Sequence, residues 1–176
     1  GTFKPFAVVN RAEMLKIAIE ASSKIFNKPQ ELPEVYNKKC FKDVEIDQWY
    51  TKHICYAKSQ GIIKGYSDDT FHPAQKVTFA EALKVSFKTF NLPYNEKQSP
   101  WYKSLIKSSD ELQFTPPTVE IYYQNLKRNE VAELISRIIK HQESKIEREP
   151  DEDKETGGGG SSGGGSGDNG SGSDDD

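Results

Sequence analysis

Apolar residues recur at helical spacing in three stretches of the chain. After Asn10 they fall at Leu15, Ala18, Ala21 or Ser22, and Ile25; after Thr78 at Leu83, Phe87 and Phe90; after Arg128 at Val131, Leu134, Ile135 and Ile138. Each stretch predicts one helix. Two shorter helices are expected at Trp49–Ser59, stopped by Gly61, and at Trp101–Ser109. The segment 61–77, GIIKGYSDDTFHPAQKV, reads as a loop punctuated by Gly65, Asp68, Asp69 and Pro73. Strand-like alternation is weak throughout, so a mainly α fold is expected.

The helices open on related four-residue boxes: Asn10-Arg11-Ala12-Glu13, Thr78-Phe79-Ala80-Glu81 and Lys127-Arg128-Asn129-Glu130, spaced 68 and then 49 residues apart. Upstream, GTFKPFAVV at 1–9 aligns without a gap with DTFHPAQKV at 69–77. The Trp-Tyr pair that opens the first short helix recurs at the second. Self-similarity at this period marks a repeat architecture. The units are half a repeat over 1–27, a complete one over 40–91 and a degenerate one over 97–146. The chain is therefore expected to begin partway through a repeat. The longer interval carries an excursion, KPQELPEVYNKK.

Composition divides the 176 residues further. The stretch 147–176 is acidic and rich in Gly and Ser, with nothing apolar after Pro150 to offset the entropy of ordering, so it reads as a disordered tail or linker. From Pro150 it holds 8 of the 27 acidic residues and 1 of the 24 basic ones, leaving a body of +4 on a chain of −3. A mildly basic body suits an anionic partner, but the charges are scattered, and nucleic acid is not expected. No apolar run is long enough to cross a membrane. No signal-peptide pattern opens the chain, and targeting information is expected upstream.

The residues of 41–81 resemble the S-layer homology (SLH) family. Its pattern is F-x-D-V, a Trp opening a helix that ends in G-I, then G-Y-x-D-G-T-F-x-P, then a T-R-A-E box. Phe41, Asp43, Val44, Trp49, Ile54, Ala57, Gly61, Ile62, Gly65, Tyr66, Asp68, Thr70, Phe71, Pro73, Thr78, Ala80 and Glu81 match it. The third unit matches weakly, through Trp101-Tyr102 and Arg128–Glu130. The resemblance implies a secreted, non-catalytic cell-surface module with pseudo-threefold helical repeats. It implies binding of anionic, often pyruvylated, secondary cell-wall polysaccharide in grooves between repeats, to which the box Arg contributes. Arg11, Trp49, Tyr50, Gly65, Tyr66, Asp68, Trp101 and Arg128 are the glycan-binding candidates. Partners besides the polysaccharide could include other surface-layer proteins, and a structural interaction module with degenerate grooves is the alternative.

The boxes also have a direct physical reading. Asn10 and Thr78 are good N-caps, with Glu13 and Glu81 three residues on, as a capping box requires. Glu130 holds the same place, but Lys127 cannot accept a hydrogen bond. An Arg in the first turn faces the unfavourable end of the helix dipole. Arg11 and Arg128 are therefore either clamps for a ligand carboxylate, aided by free helix N–H groups, or partners of a neighbouring repeat's carboxylate. Phe79 departs from the pattern and is expected to pack in the core, with Phe41, Phe71 and Ile54. Trp49 and Trp101 either stack on sugar faces or pack between repeats.

Asp43, Asp47, Asp68 and Asp69 fit no calcium loop, and no metal or cofactor is expected. Asp69 takes the place of the family's Gly, in a turn where Asp tolerates a left-handed backbone. At a cell surface Cys40 and Cys55 could form a disulfide; the alternative is two buried thiols. His53, His72 and His141 lie in unlike contexts, and no catalytic arrangement recurs.

Overall fold

The computed structural model describes residues 4–28 and 31–148. The expected tail lies outside the described residues from 149 onward, as does the GTF of the first repeat motif. The described residues form five α-helices and no strand: α1 (Arg11–Ile25), α2 (Thr51–Ser59), α3 (Phe79–Thr89), α4 (Lys103–Glu111) and α5 (Arg128–Ile146). The excursion before α2 carries one 3₁₀ turn, Glu34–Tyr36, and Tyr36 stands edge-on to Tyr56 of α2 at 5.3 Å.

The fold is mainly α, as the periodicity predicts, with two shifts. Helices α2 and α4 start two residues after Trp49 and Trp101, so both Trp side chains sit in the preceding turns. At α2 the cause is Thr51, whose hydroxyl donates to the Glu45 carbonyl at 2.6 Å and accepts from the Gln48 N–H. That exchange closes a turn in front of the helix.

The box helices α1, α3 and α5 meet at their N-termini. The Val9 N–H donates to the Leu126 carbonyl, that of Leu126 to Val77, and that of Val77 to Val9, at 2.9 to 3.0 Å. These bonds close a three-membered ring. The first two amides of each box helix then donate into the loop before the next: Arg11 and Ala12 to Gln75 and Pro73, Phe79 and Ala80 to Gln124 and Tyr122, Arg128 and Asn129 to Ala7 and Pro5. Four orphan N–H groups at a helix start need partners, and here the neighbouring loop supplies two of them.

Below this ring one apolar core is shared by the box helices, including Met14, Ala18, Leu83, Phe87, Leu134 and Ile138. A second, smaller core lies where α2 packs on α1, around Leu15, Ile19, Phe41, Ile54 and Phe71. Phe79 is only 2% exposed and belongs to the first core, as expected. Helix α4 packs on α3 as α2 does on α1. Cys40 and Cys55 are joined in a disulfide that pins the end of the excursion to α2.

Two histidines tie this packing to pH. Burial, against an opposing Glu20, holds His53 below the ordinary histidine range; burial together with Lys145 and Arg148 does the same for His141. Such groups bind protons more weakly folded than unfolded. Their contribution is fully present above about pH 6.5 and is lost as pH falls through the folded values. The denaturation midpoint should therefore fall between pH 7 and pH 5, and His53→Gln should flatten the decline. An identical pH profile for that variant would exclude His53 as the cause.

Candidate inter-helix groove

Each box glutamate has two jobs. Glu13 Oε2 accepts the Asn10 N–H at 3.0 Å while the Asn10 side chain accepts the Glu13 N–H at 2.8 Å, a full capping box. Thr78 and Glu81 form the same pair. At α5 only one arm exists: Lys127 donates its N–H to Glu130 Oε2 at 2.7 Å, and its ammonium has no lone pair with which to answer.

The second carboxylate oxygen reaches across to the neighbouring box. Arg11 Nη1 donates to Glu81 Oε1 at 3.0 Å, and Arg128 Nη2 donates to Glu13 Oε1 at 2.8 Å. Both arginines are thus paired with a neighbouring box's carboxylate. The helix N–H groups that could have served an anion are occupied by loop carbonyls and caps, which corrects that part of the sequence reading. At the third junction Phe79 offers no cation, and the buried Glu130 Oε1 accepts instead from Thr118 and Gln124.

The two arginines are held differently. Arg11 also donates from Nε to the Phe71 carbonyl at 2.9 Å, and its guanidinium lies over the Phe71 and Tyr66 rings at 4.7 and 5.2 Å. Its side chain is 15% exposed, against 38% for Arg128. The loop at Gly61–Tyr66 walls Arg11 in, and no described segment stands in that place beside Arg128.

The walled groove has a volume of about 330 Å³ and is lined by Arg11, the loop 61–66, Glu81, Lys84, Val85, Lys88, Glu96 and Trp101. Lys88 pairs with Glu96 at 3.0 Å. Lys84 has no carboxylate oxygen within 4 Å among the described residues, and its ammonium lies 4.8 Å from the centre of the Trp101 ring. Partial burial first, then the neighbouring Lys88 and Lys64 ammonium groups, hold Lys84 below the ordinary lysine range, with Glu96 opposing. An anion entering this groove would relieve that repulsion.

The open groove, of about 360 Å³, repeats the set with Arg128, Glu13, Lys16 and Trp49, and Lys16 lies 5.7 Å from the Trp49 ring. Both tryptophans are exposed, at 52% for Trp49 and 42% for Trp101. The third junction has Glu133 where the others have Lys16 and Lys84, and Glu133 pairs with Arg137 at 2.7 Å.

Of the sequence candidates, Arg11, Gly65, Tyr66 and Trp101 thus share one groove, and Trp49 and Arg128 share another. Tyr50 lines a separate cavity beside Trp49. Asp68 builds the turn, accepting the Thr70 N–H at 3.1 Å and hydroxyl at 2.6 Å. Asp69 takes the left-handed backbone expected of it, with φ of 63°. Lys16 and Lys84 were missed. The signal was present: each stands five residues after the first residue of its helix, and only the third box has an acid there.

The sequence pattern of the S-layer homology domain family matches residues 41–83. Residues 41–83 therefore resemble an S-layer homology domain. Over 112 residues the chain is 26% identical to the middle cell wall protein of Brevibacillus brevis, a stretch covering 64% of this chain and 10% of that protein. It is 34% identical over 88 residues to cell surface glycoprotein 1 of Acetivibrio thermocellus, covering 48% and 4%. A surface layer protein of Brevibacillus choshinensis is 28% identical over 72 residues, covering 41% and 6%. The chain therefore spans a tenth or less of the length of these curated relatives. The matched segment contributes the walling loop and Glu81 to the groove of Arg11.

Proposed function

We propose that this chain is a secreted, non-catalytic cell-surface anchoring module, an SLH triplet that holds an anionic wall polysaccharide in the groove of Arg11, Lys84 and Trp101. The anchoring role is supported by the family match and by relatives named as cell-wall and surface-layer proteins. One observation carries the choice of groove: a lysine with no carboxylate oxygen within 4 Å among the described residues, over the face of an exposed tryptophan. A sugar bearing an acetal-linked carboxylate, such as a pyruvate ketal, supplies the missing charge and an apolar ring face together.

Lys84→Ala is the cleanest test, because Arg11 also braces Glu81 and the Phe71 carbonyl. A charge-assisted contact is worth about 1.5–3 kcal/mol, so the variant should pellet with purified cell walls at least tenfold more weakly. Equal pelleting would sink this groove assignment. Phe79 and Glu133 favour a second reading for the third junction, a contact surface for other surface-layer proteins. Sedimentation velocity showing self-association that Glu133→Lys disrupts would support it.

A further inference from the structure

The chain carries a polyanion of its own. Residues 149–176 lie outside the described residues, and their sequence groups its acids in two blocks. Asp151, Glu152, Asp153 and Glu155 form the first, with Lys154 among them; Asp168 and Asp174–Asp176 form the second. Residues 157–167 between the blocks are Gly and Ser alone.

The groove of Arg11 holds cations to answer it. Lys64, Lys84 and Lys88 all line that groove. Lys88 is paired with Glu96 and Arg11 with Glu81, each at 3.0 Å. Lys64 and Lys84 have no carboxylate oxygen within 4 Å among the described residues. Lys64 and Lys88 add their charge to the partial burial that holds Lys84 below the ordinary lysine range. The Arg128 groove differs, because both of its cations are paired: Lys16 with Glu20 at 3.6 Å and Arg128 with Glu13.

The bundle puts the root of the tail within range. Gln142 Nε2 donates to the Phe90 carbonyl at 2.8 Å, so α5 passes the end of α3 at that level. Lys84 stands six residues before Phe90 and Arg148 six after Gln142, each step about 9 Å along a helix. With about 8–10 Å between helix axes, the gap from Arg148 to Lys84 is about 20 Å. The block Asp151–Asp153 ends five residues past Arg148, extends at most about 18 Å and falls short. Asp174 is 26 residues past Arg148, and a Gly/Ser-rich chain of that length spans about 25–30 Å on average. A tether whose average span is close to the gap gives its end a high effective concentration, in the millimolar range.

We infer that the acidic segment 168–176 docks in the Arg11–Lys84 groove of its own chain, as a cap that an anionic polymer must displace. This regulation rests on the reading of that groove as the anion site. The test compares the full ¹⁵N-labelled chain with a full-length variant carrying Asp168→Asn, Asp174→Asn, Asp175→Asn and Asp176→Asn. The indole N–H resonance of Trp101, beside Lys84, should differ between the two, while that of Trp49 in the other groove should not. The Trp101 difference should vanish in about 1 M NaCl, where charges act over only about 3 Å. In cell-wall pelleting the neutralised variant should bind about two- to fivefold more tightly, as for a groove that its own tail fills half to four-fifths of the time. Both differences should disappear in a Lys84→Ala background.

An unmoved Trp101, or an equal movement of Trp49, would overturn the docking. So would a Trp101 difference that grows with protein concentration, which marks the tail of a second copy. A pelleting gain that survives Lys84→Ala is plain repulsion between tail and wall, and would overturn it too. A tail-dependent Trp101 shift, with parent pelleting untouched by Lys84→Ala, would uphold the docking and remove the groove's wall role. An unmoved Trp101 with pelleting lost in Lys84→Ala would do the reverse.

Discussion

Gly65→Ala is expected to lower stability by about 3 kcal/mol, combining left-handed strain of about 1–2 kcal/mol with overpacking of about 1–3 kcal/mol. Gly65 has φ of 77°, which side-chain-bearing residues rarely adopt. A Cβ there would run into the Phe41 ring and stand 2.8 Å from the Thr70 carbonyl. Phe41 cannot give way, because it is buried and stacked on Phe71 at 5.8 Å. Phe71 in turn supplies the carbonyl that Arg11 binds. The strain should therefore reach the groove as well as the fold, and weaken wall binding beyond what the fraction unfolded explains. Denaturant titration checks the first effect. A midpoint within error of the parent would show that the turn can reshape around a side chain.

Replacing Cys40 and Cys55 together by Ser should cost a similar amount, about 3 kcal/mol for a cross-link of this span in the chain-entropy description. The disulfide joins residues 15 apart and ties the excursion to α2. Lys58 reinforces the same corner, donating to the Cys40 carbonyl at 2.6 Å with its ammonium 3.8 Å from the centre of the Phe41 ring. The loss should concentrate in the smaller core around Phe41 and Ile54, and leave the core shared by α1, α3 and α5 protected longer in hydrogen exchange. Treating the parent protein with reductant should reproduce the shift. Uniform loss of protection across both cores would contradict this division.

What could be read from the chain beforehand is what depends on near neighbours. The caps at Asn10 and Thr78 act over three residues, and the left-handed Asp69 over one turn. The apolar faces of α1, α3 and α5 follow from periodicity alone. The arginine partners were beyond reach, since Arg11 finds Glu81 70 residues away and Arg128 finds Glu13 115 away. Local reasoning could name the alternatives for these side chains but could not choose between them. Nor could it see that loop carbonyls take the helix N–H groups, because that depends on the closed ring at Val9, Val77 and Leu126. The tryptophans were placed two residues too far inside their helices; at Trp49 the reason is that propensity does not register the Thr51 turn. Lys84 escaped notice for another reason: a lysine reads as solvated surface until Trp101, from a different helix approach, is brought under it.

The central claim is that charge on the wall polymer is recognised by the Arg11–Lys84–Trp101 groove. Titration calorimetry tests it most directly, with purified anionic wall polysaccharide compared before and after its carboxylates are converted to neutral amides. Binding should be strong to the native polymer, fall at least tenfold after amidation, and fall no further when Lys84→Ala meets the amidated form. Equal affinity for both polymers, or a Lys84→Ala loss that persists on the neutral one, would contradict the account.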